Sequence, residues 1–271
     1  MKDKNYYKYA GKLHDSIIAS IDILGYTEYI ESAIDDNDAN KKLVLLRSAI
    51  EKSHTYLEDK LADVVDFRGW EIKAYTDNIT ICYPIIPGVV FESFSSEGAL
   101  SSMLFMLCRF QLELINTGSL FIRGAVSFEK VYSDENIVYG KGLIDAHKAE
   151  SMRAIYPRII LCNNIRHLVD EHKNRVGKKV TQDILPELLK DDDGEYFIDY
   201  MKLLGHKECD LNQDEFIEKH KQLILQLMDK YGDDSNILKK YLWAAKYHNH
   251  HCQRNSIFNK LIDVPSLKEI V

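Results

Sequence analysis

Ser16-Ile17-Ile18-Ala19-Ser20-Ile21-Asp22-Ile23-Leu24-Gly25-Tyr26-Thr27 is the stretch whose reading decides the fold. Ser16 to Leu24 is β-branched and nearly continuous in apolar character, which predicts a buried strand. Gly25 lets the chain turn, and Thr27 is the expected N-cap of a following helix. Asp22 is the anomaly. A carboxylate at the end of an apolar strand is costly to bury unless it is paired or metal-bound.

Working outward, Asp35 to Asp38 breaks the first helix, and Asn40 to Leu61 has helical spacing. Trp70 to Tyr83 alternates as two strands expected to join at Asp77-Asn78, closed by Pro84 and Pro87. Gly98 to Asn116 predicts a helix, Leu120 to Phe128 a strand, Leu143 to Ala154 a helix and Arg158 to Cys162 a strand. This order predicts an α+β fold with a ferredoxin-like sheet and helices on one face. After Asn163 charged helical segments dominate, with a short strand at Tyr196 to Tyr200. Helices are expected over Gln213 to Lys230 and Ser235 to about His251. The expected division is a core over 1–162 and an α-rich C-terminal extension over 163–271, packed as one unit.

Composition narrows the function. The chain has 271 residues, is 45% hydrophobic and carries a net charge of -7. That is an ordinary globular balance. It lacks the positive field that draws proteins to nucleic acid or an anionic membrane. The start, Met1 to Tyr7, lacks the apolar stretch needed for export, and the five cysteines are scattered. A reducing, cytoplasmic setting with free buried thiols is the expectation.

Asp77 supplies a second acid. If its hairpin lies beside the first strand, Asp77 and Asp22 converge with no obvious basic partner. A divalent cation relieves their repulsion, and hard oxygen ligands suit Mg²⁺ or Mn²⁺. Lys73 and Tyr75 would share a face with Asp77 on a regular strand. Each residue also has a plainer reading: a capping acid, a turn aspartate, a packed tyrosine, a solvated lysine.

Asp22-Ile23-Leu24-Gly25-Tyr26-Thr27 resembles the motif that supplies the first metal-binding aspartate of class III nucleotidyl cyclases. Thr76-Asp77-Asn78-Ile79 resembles the hairpin that supplies their second, and Lys73 stands four residues before it. Leu120-Phe121-Ile122-Arg123-Gly124-Ala125-Val126-Ser127 and Tyr139-Gly140-Lys141-Gly142 through Ser151 are more similar to the pyrimidine cyclases of the Pycsar anti-phage system. The resemblance implies the class III cyclase catalytic fold, two Mg²⁺ or Mn²⁺ ions per active site held by Asp22, Ile23 and Asp77, and backbone contacts to a triphosphate from Ile23 to Thr27, Gly25, Tyr26 and Thr27 among them. It implies Lys73 and Tyr75 at the base, and Arg123 and Lys148 acting on the transition state. It further implies a head-to-tail homodimer with shared sites, UTP or CTP as substrate, and a separate effector that responds to cUMP or cCMP.

Two positions depart from the family. Ile144 and Lys148 stand where ordinary members carry Asn and Arg, and Lys lacks the bidentate fork of Arg. A degenerate cyclase fold that binds a nucleotide or partner without turnover is therefore an alternative, as is a purine cyclase. His248, His250, His251 and Cys252 are adjacent on a helix and point in different directions, which favours a solvated or packed helix end over a metal site. The tract Asp191 to Asp193 is expected to be a loop, and no P-loop or nucleophile elbow is present.

Overall fold

The first strand forms as the sequence predicts because its side chains are apolar on both faces. β1 (His14–Ile23) buries Ile17, Ile18, Ala19 and Ile21 completely. A computed structural model describes residues 11–61, 71–85, 96–134, 136–170, 188–206 and 209–264. Trp70 and Pro87 lie outside them, as does the start at Met1 to Tyr7.

Helix α1 (Tyr26–Glu31) is short, and α2 (Asp36–Leu61) follows. The Asp35 carboxylate accepts the Asp38 N–H at 2.8 Å and so caps α2. Strands β2 (Glu71–Tyr75) and β3 (Asn78–Pro84) form the hairpin, with Tyr75 paired to Asn78. Thr76 and Asp77 therefore make the turn, one residue earlier than expected. Then come α3 (Ser96–Glu113), β4 (Ile122–Ser133), β5 (Val138–Gly140), α4 (Lys141–Met152) and β6 (Ile159–Leu161). Strands β7 (Leu188–Lys190) and β8 (Tyr196–Ile198) precede α5 (Gln213–Lys230) and α6 (Ser235–Arg254).

The sheet runs β2-β3-β1-β4-β6-β8-β7, with β5 paired to β4. Its first four strands are antiparallel neighbours, the order of a ferredoxin-like sheet. The fold is α+β, with α5 and α6 as the C-terminal helices. The sheet itself continues past position 162, since Ile160 of β6 pairs with Phe197 of β8.

Helices cover both faces, not one. Ile17, Ala19, Ile21 and Ile23 join Leu100, Met103, Leu104 and Leu107 of α3 in the main core. Ile18 points the other way and packs with Cys82, Val131 and Ala146 of α4. A strand buried on two sides needs a layer on each. Helix α3 is surrounded, and buried polar side chains on it find partners within the protein. Arg109 pairs with Glu113 and lies 2.6 Å from Asp210, and Gln111 donates to the Pro157 carbonyl at 3.3 Å.

The aspartate tract is the turn between β7 and β8. Asp191 and Asp193 both pair with Arg158, which is fully buried beneath Tyr156 and Trp243. Trp243 Nε1 donates to Asp191 at 2.6 Å, so this knot ties α6 to the sheet.

Of the histidines of α6, His248 and His251 are packed and His250 is exposed. The Lys260 carbonyl can only accept, so His248 carries its proton on Nε2, 2.9 Å away. Neutral His248 then accepts from His220 at Nδ1 (2.9 Å), and His220 Nε2 accepts the Tyr200 hydroxyl proton (2.7 Å). Four of the five free cysteines are buried, and Cys209 is half-buried.

Candidate active site

Strand register places the site. Residues opposite one another in an antiparallel ladder share a face. Asp22 faces Asn78 on one side and Arg123 on the other; Ser20 faces Thr80, and Thr80 faces Lys73. These side chains point to the α4 side of the sheet, as Ile18 does. Helix α4 covers the end near Ile18 and Val131. Beyond it the same face is polar and open: Lys73 is half-buried and Tyr75 is 64% exposed.

The two predicted acids do converge. Asp77 sits in the turn next to Asn78, and its carbonyl accepts the Ile23 N–H at 2.9 Å. Its carboxylate accepts from the Thr76 hydroxyl at 2.8 Å and the Asn78 amide at 3.1 Å, and it comes within hydrogen-bonding reach of the Asp22 carboxyl. The Thr76 hydroxyl is the main reason its pKa falls below the usual carboxylate range. Thr76 itself takes a left-handed φ of 54°, so strand alternation stops at Tyr75. Lys73 and Tyr75 share a face, but Asp77 lies past it.

Asp22 has a basic partner, contrary to the sequence expectation. Arg123 Nε lies 2.6 Å from Asp22 Oδ2, and its Nη2 lies 3.0 Å from Glu150 Oε1. The side chains meet because β1 and β4 pair Asp22 directly with Arg123. Glu150, on the inward face of α4, is 2% exposed, and its Oε1 receives no well-aligned hydrogen bond. Burial raises its pKa, with Asp22 and Asp77 adding to the rise while Arg123 opposes it. His147 Nδ1 stands 3.3 Å from the other oxygen of Glu150.

Glu150 is the acid that sequence reasoning missed as a site residue. A signal existed: it follows Ala146 by one helical turn, on the face turned to the sheet. Lys148 and Ile144 lie on the outward face of the same helix, and both are exposed. In a single chain Lys148 does not join Asp22, Asp77 and Arg123.

The turn after β1 also differs in detail. Gly25, not Thr27, is the N-cap of α1, in a left-handed conformation with φ of 75°. Thr27 lies inside the first turn and caps nothing through its side chain. The Ile23 N–H is taken by Asp77 and the Leu24 N–H by the Phe121 carbonyl. Of the Ile23–Thr27 backbone, this leaves Gly25, Tyr26 and Thr27 to offer N–H groups to a ligand. Ile23 is 2% exposed, so only its main chain could face one.

The donor set is compatible with a hard cation. Among the described residues no three His, Cys, Asp or Glu side chains are grouped to hold a metal by themselves. Mg²⁺ commonly takes one or two carboxylates and completes its shell with water and substrate phosphates. Asp22 and Asp77 meet that lesser requirement. No helix among the described residues is long and apolar enough to cross a membrane.

No family model and no curated protein matches the chain. Among solved structures, it is similar to the monomeric guanylyl cyclase domain of the RhoGC fusion protein from the aquatic fungus Blastocladiella emersonii, with 13% identity, TM-score 0.41, and coverage of 69% of this chain and 96% of that one. It is similar to the catalytic core of a rhodopsin-guanylyl cyclase with converted specificity in complex with ATPαS, at 16% identity, TM-score 0.42, and 69% and 97% coverage. A class III adenylyl cyclase-like ATP-binding protein from Pseudomonas aeruginosa gives 12% identity, TM-score 0.39, and 90% and 45% coverage.

Proposed function

We propose that the chain is a class III nucleotidyl cyclase that converts a pyrimidine nucleoside triphosphate, UTP or CTP, to its 3′,5′-cyclic monophosphate and pyrophosphate. The observation that carries this reading is the meeting of the Asp22 and Asp77 carboxyls at adjoining strand ends, beside a polar sheet face that α4 leaves open. In the reaction the O3′–Pα bond forms as the bond from Pα to the β-phosphate oxygen breaks, and the 3′-hydroxyl proton passes to water.

Asp22, Asp77 and the Ile23 carbonyl would hold Mg²⁺ or Mn²⁺, two per site. When bound, these ions supply charge neutralisation and acidify the 3′-hydroxyl. The chain's own groups do the rest. Gly25, Tyr26 and Thr27 offer backbone N–H groups to the phosphates, and Lys73 and Tyr75 meet the base on the open face. Arg123 fixes Asp22 in place, and its guanidinium would offset charge developing at the reacting phosphorus. Lys148 points outward, so in this reading it serves the site of a second copy in a head-to-tail homodimer. The core over 1–162 and the extension over 163–271 act as one cytoplasmic unit. Its product activates a separate effector in anti-phage defence.

A second reading is favoured by two observations. Arg123 is already spent on Asp22 and Glu150, and Ile144 is an apolar, outward residue where ordinary members of the family carry a polar one. Both suit a cyclase fold that binds nucleotide without turnover. Incubation with each of the four NTPs and Mn²⁺, followed by chromatography, decides. Cyclic product from UTP or CTP, absent with Asp22→Asn and Asp77→Asn, is the expected result. Turnover of ATP or GTP alone would redirect the base assignment. Tight NTP binding with no product would establish the non-catalytic reading.

A further inference from the structure

Helix α4 lies close on the sheet because its inward residues are small. Gly142, Ala146 and Ala149 are buried, and Ala146 packs with Ile18 of β1 and Val131 of β4. Glu150 follows one turn beyond Ala146 on the same face. Among the residues that α4 buries, it alone is charged. Its Oε1 lies 3.0 Å from Arg123 Nη2, while Arg123 Nε lies 2.6 Å from Asp22. Nε and Nη2 share one edge of the planar guanidinium, so that edge faces two acids from two separate elements. Nη1, on the other side, has no partner among the described residues, and the side chain is 22% exposed.

We propose that Glu150 is a positioning residue of the candidate active site, the anchor that keeps the Arg123 guanidinium in place when a divalent cation engages Asp22. The inference rests on the cation-binding part of the reading above. A cation at Asp22 competes with Arg123 for one carboxylate, and it repels the guanidinium as a like charge. With Asp22 as its sole anchor, Arg123 would be displaced as the ion arrived. Glu150 escapes that competition. It is 2% exposed and sits beneath a helix, whereas Asp22 stands at the strand end with its side chain 15% exposed.

Glu150 is a poor choice for stability alone. A buried carboxylate is costly unless its oxygens are well bonded. Here Oε1 receives no well-aligned hydrogen bond, and Oε2 stands 3.3 Å from the exposed His147. The attraction to Arg123 is therefore more a matter of charge than of direction. It fixes where the guanidinium sits and leaves N–H groups of Nη1 and Nη2 for an incoming phosphoryl oxygen.

The first test is nuclear magnetic resonance on the full chain labelled with ¹⁵N-arginine, without nucleotide. The Arg123 Nε–H signal is identified by its loss in Arg123→Met, or in Arg123→Lys if the methionine variant does not fold. On addition of Mg²⁺ it is expected to stay sharp in wild type and to broaden or vanish in Glu150→Gln. A merely structural role for Glu150 would not make this signal depend on Mg²⁺, and identical behaviour in the two proteins overturns the inference. The second test is turnover with Mn²⁺ and whichever NTP the wild type cyclises. Glu150→Gln is expected to lower kcat about tenfold or more and to leave KM within about threefold, because the guanidinium is needed most in the transition state. In the Arg123-substituted background the same change should alter kcat by less than about twofold, since Glu150 acts through Arg123. Unaltered kcat in Glu150→Gln, or an equal loss in both backgrounds, overturns the assignment and leaves the cyclase reading standing. A wild type that cyclises no NTP overturns the cyclase reading, while the Mg²⁺ response of the Arg123 signal still decides this one.

Discussion

Arg123 faces Asp22 across the β1–β4 ladder, Nε to Oδ2 at 2.6 Å, and the same guanidinium reaches Glu150 on α4. One cation thereby joins a strand end to the helix that covers the sheet. Removing it leaves Glu150 buried with one partner fewer.

Arg123→Met is expected to destabilise the fold by about 3 kcal/mol, the cost of stranding a buried charge. Arg123→Met combined with Glu150→Gln should recover more than half of that loss, because the stranded charge is gone. Urea unfolding of the two single variants and the double variant measures the coupling. Strict additivity would show that the contact between Arg123 and Glu150 contributes nothing.

Gly124, between Arg123 and Ala125, has no room for a methyl group. An added Cβ would lie 2.5 Å from Ile21 Cδ1 and 2.7 Å from the Ser20 carbonyl oxygen, which belongs to backbone and cannot swing aside. Gly124→Ala should cost about 2–3 kcal/mol by forcing β1 and β4 apart. Gly25→Ala has open space and strains only a φ of 75°, so about 1 kcal/mol is expected. Comparison of the two melting temperatures checks this; equal losses would mean that strand separation is not what Gly124 prevents.

Acid should loosen the C-terminal helices. Burial lowers the pKa of His220, His248 and His251, the last to about 4. For His251 the repulsion of Arg254 acts in the same direction, and Lys221 does so for His248 while Glu218 opposes. A base whose folded pKa is depressed leaves the unfolded chain to bind protons first. Stability is therefore full above about pH 6.5 and is lost as pH falls toward 4, by up to about 1.4 kcal/mol per pH unit for each histidine. Melting temperatures between pH 7.5 and 5 should fall, and His251→Gln should show a shallower fall. A profile that is flat over this range would refute the neutral Tyr200–His220–His248 relay.

Much of the fold was legible because its signals are local. β1 reads as a strand from its unbroken β-branched run, and α5 has the bounds that helical periodicity predicts. Asp22 and Asp77 could be found because a polar residue ending an apolar strand and an aspartate in a hairpin turn are both conspicuous. What was missed depends on contacts distant in sequence. Arg123 meets Asp22 across 101 positions. Glu150 enters the site only once α4 has docked on the sheet. Capping by Gly25 instead of Thr27 was decided by backbone conformation, which the Thr side chain could not override.

The clasp of Glu28 by Lys230 and Tyr231 spans 203 positions in the case of the tyrosine. On a ribosome adding about 5–20 residues per second, the loop beside Asp22 waits on the order of ten to forty seconds for that grip to become available. The nascent chain thus emerges with this corner of the candidate site half-finished, and its maturation is timed by translation of its own tail.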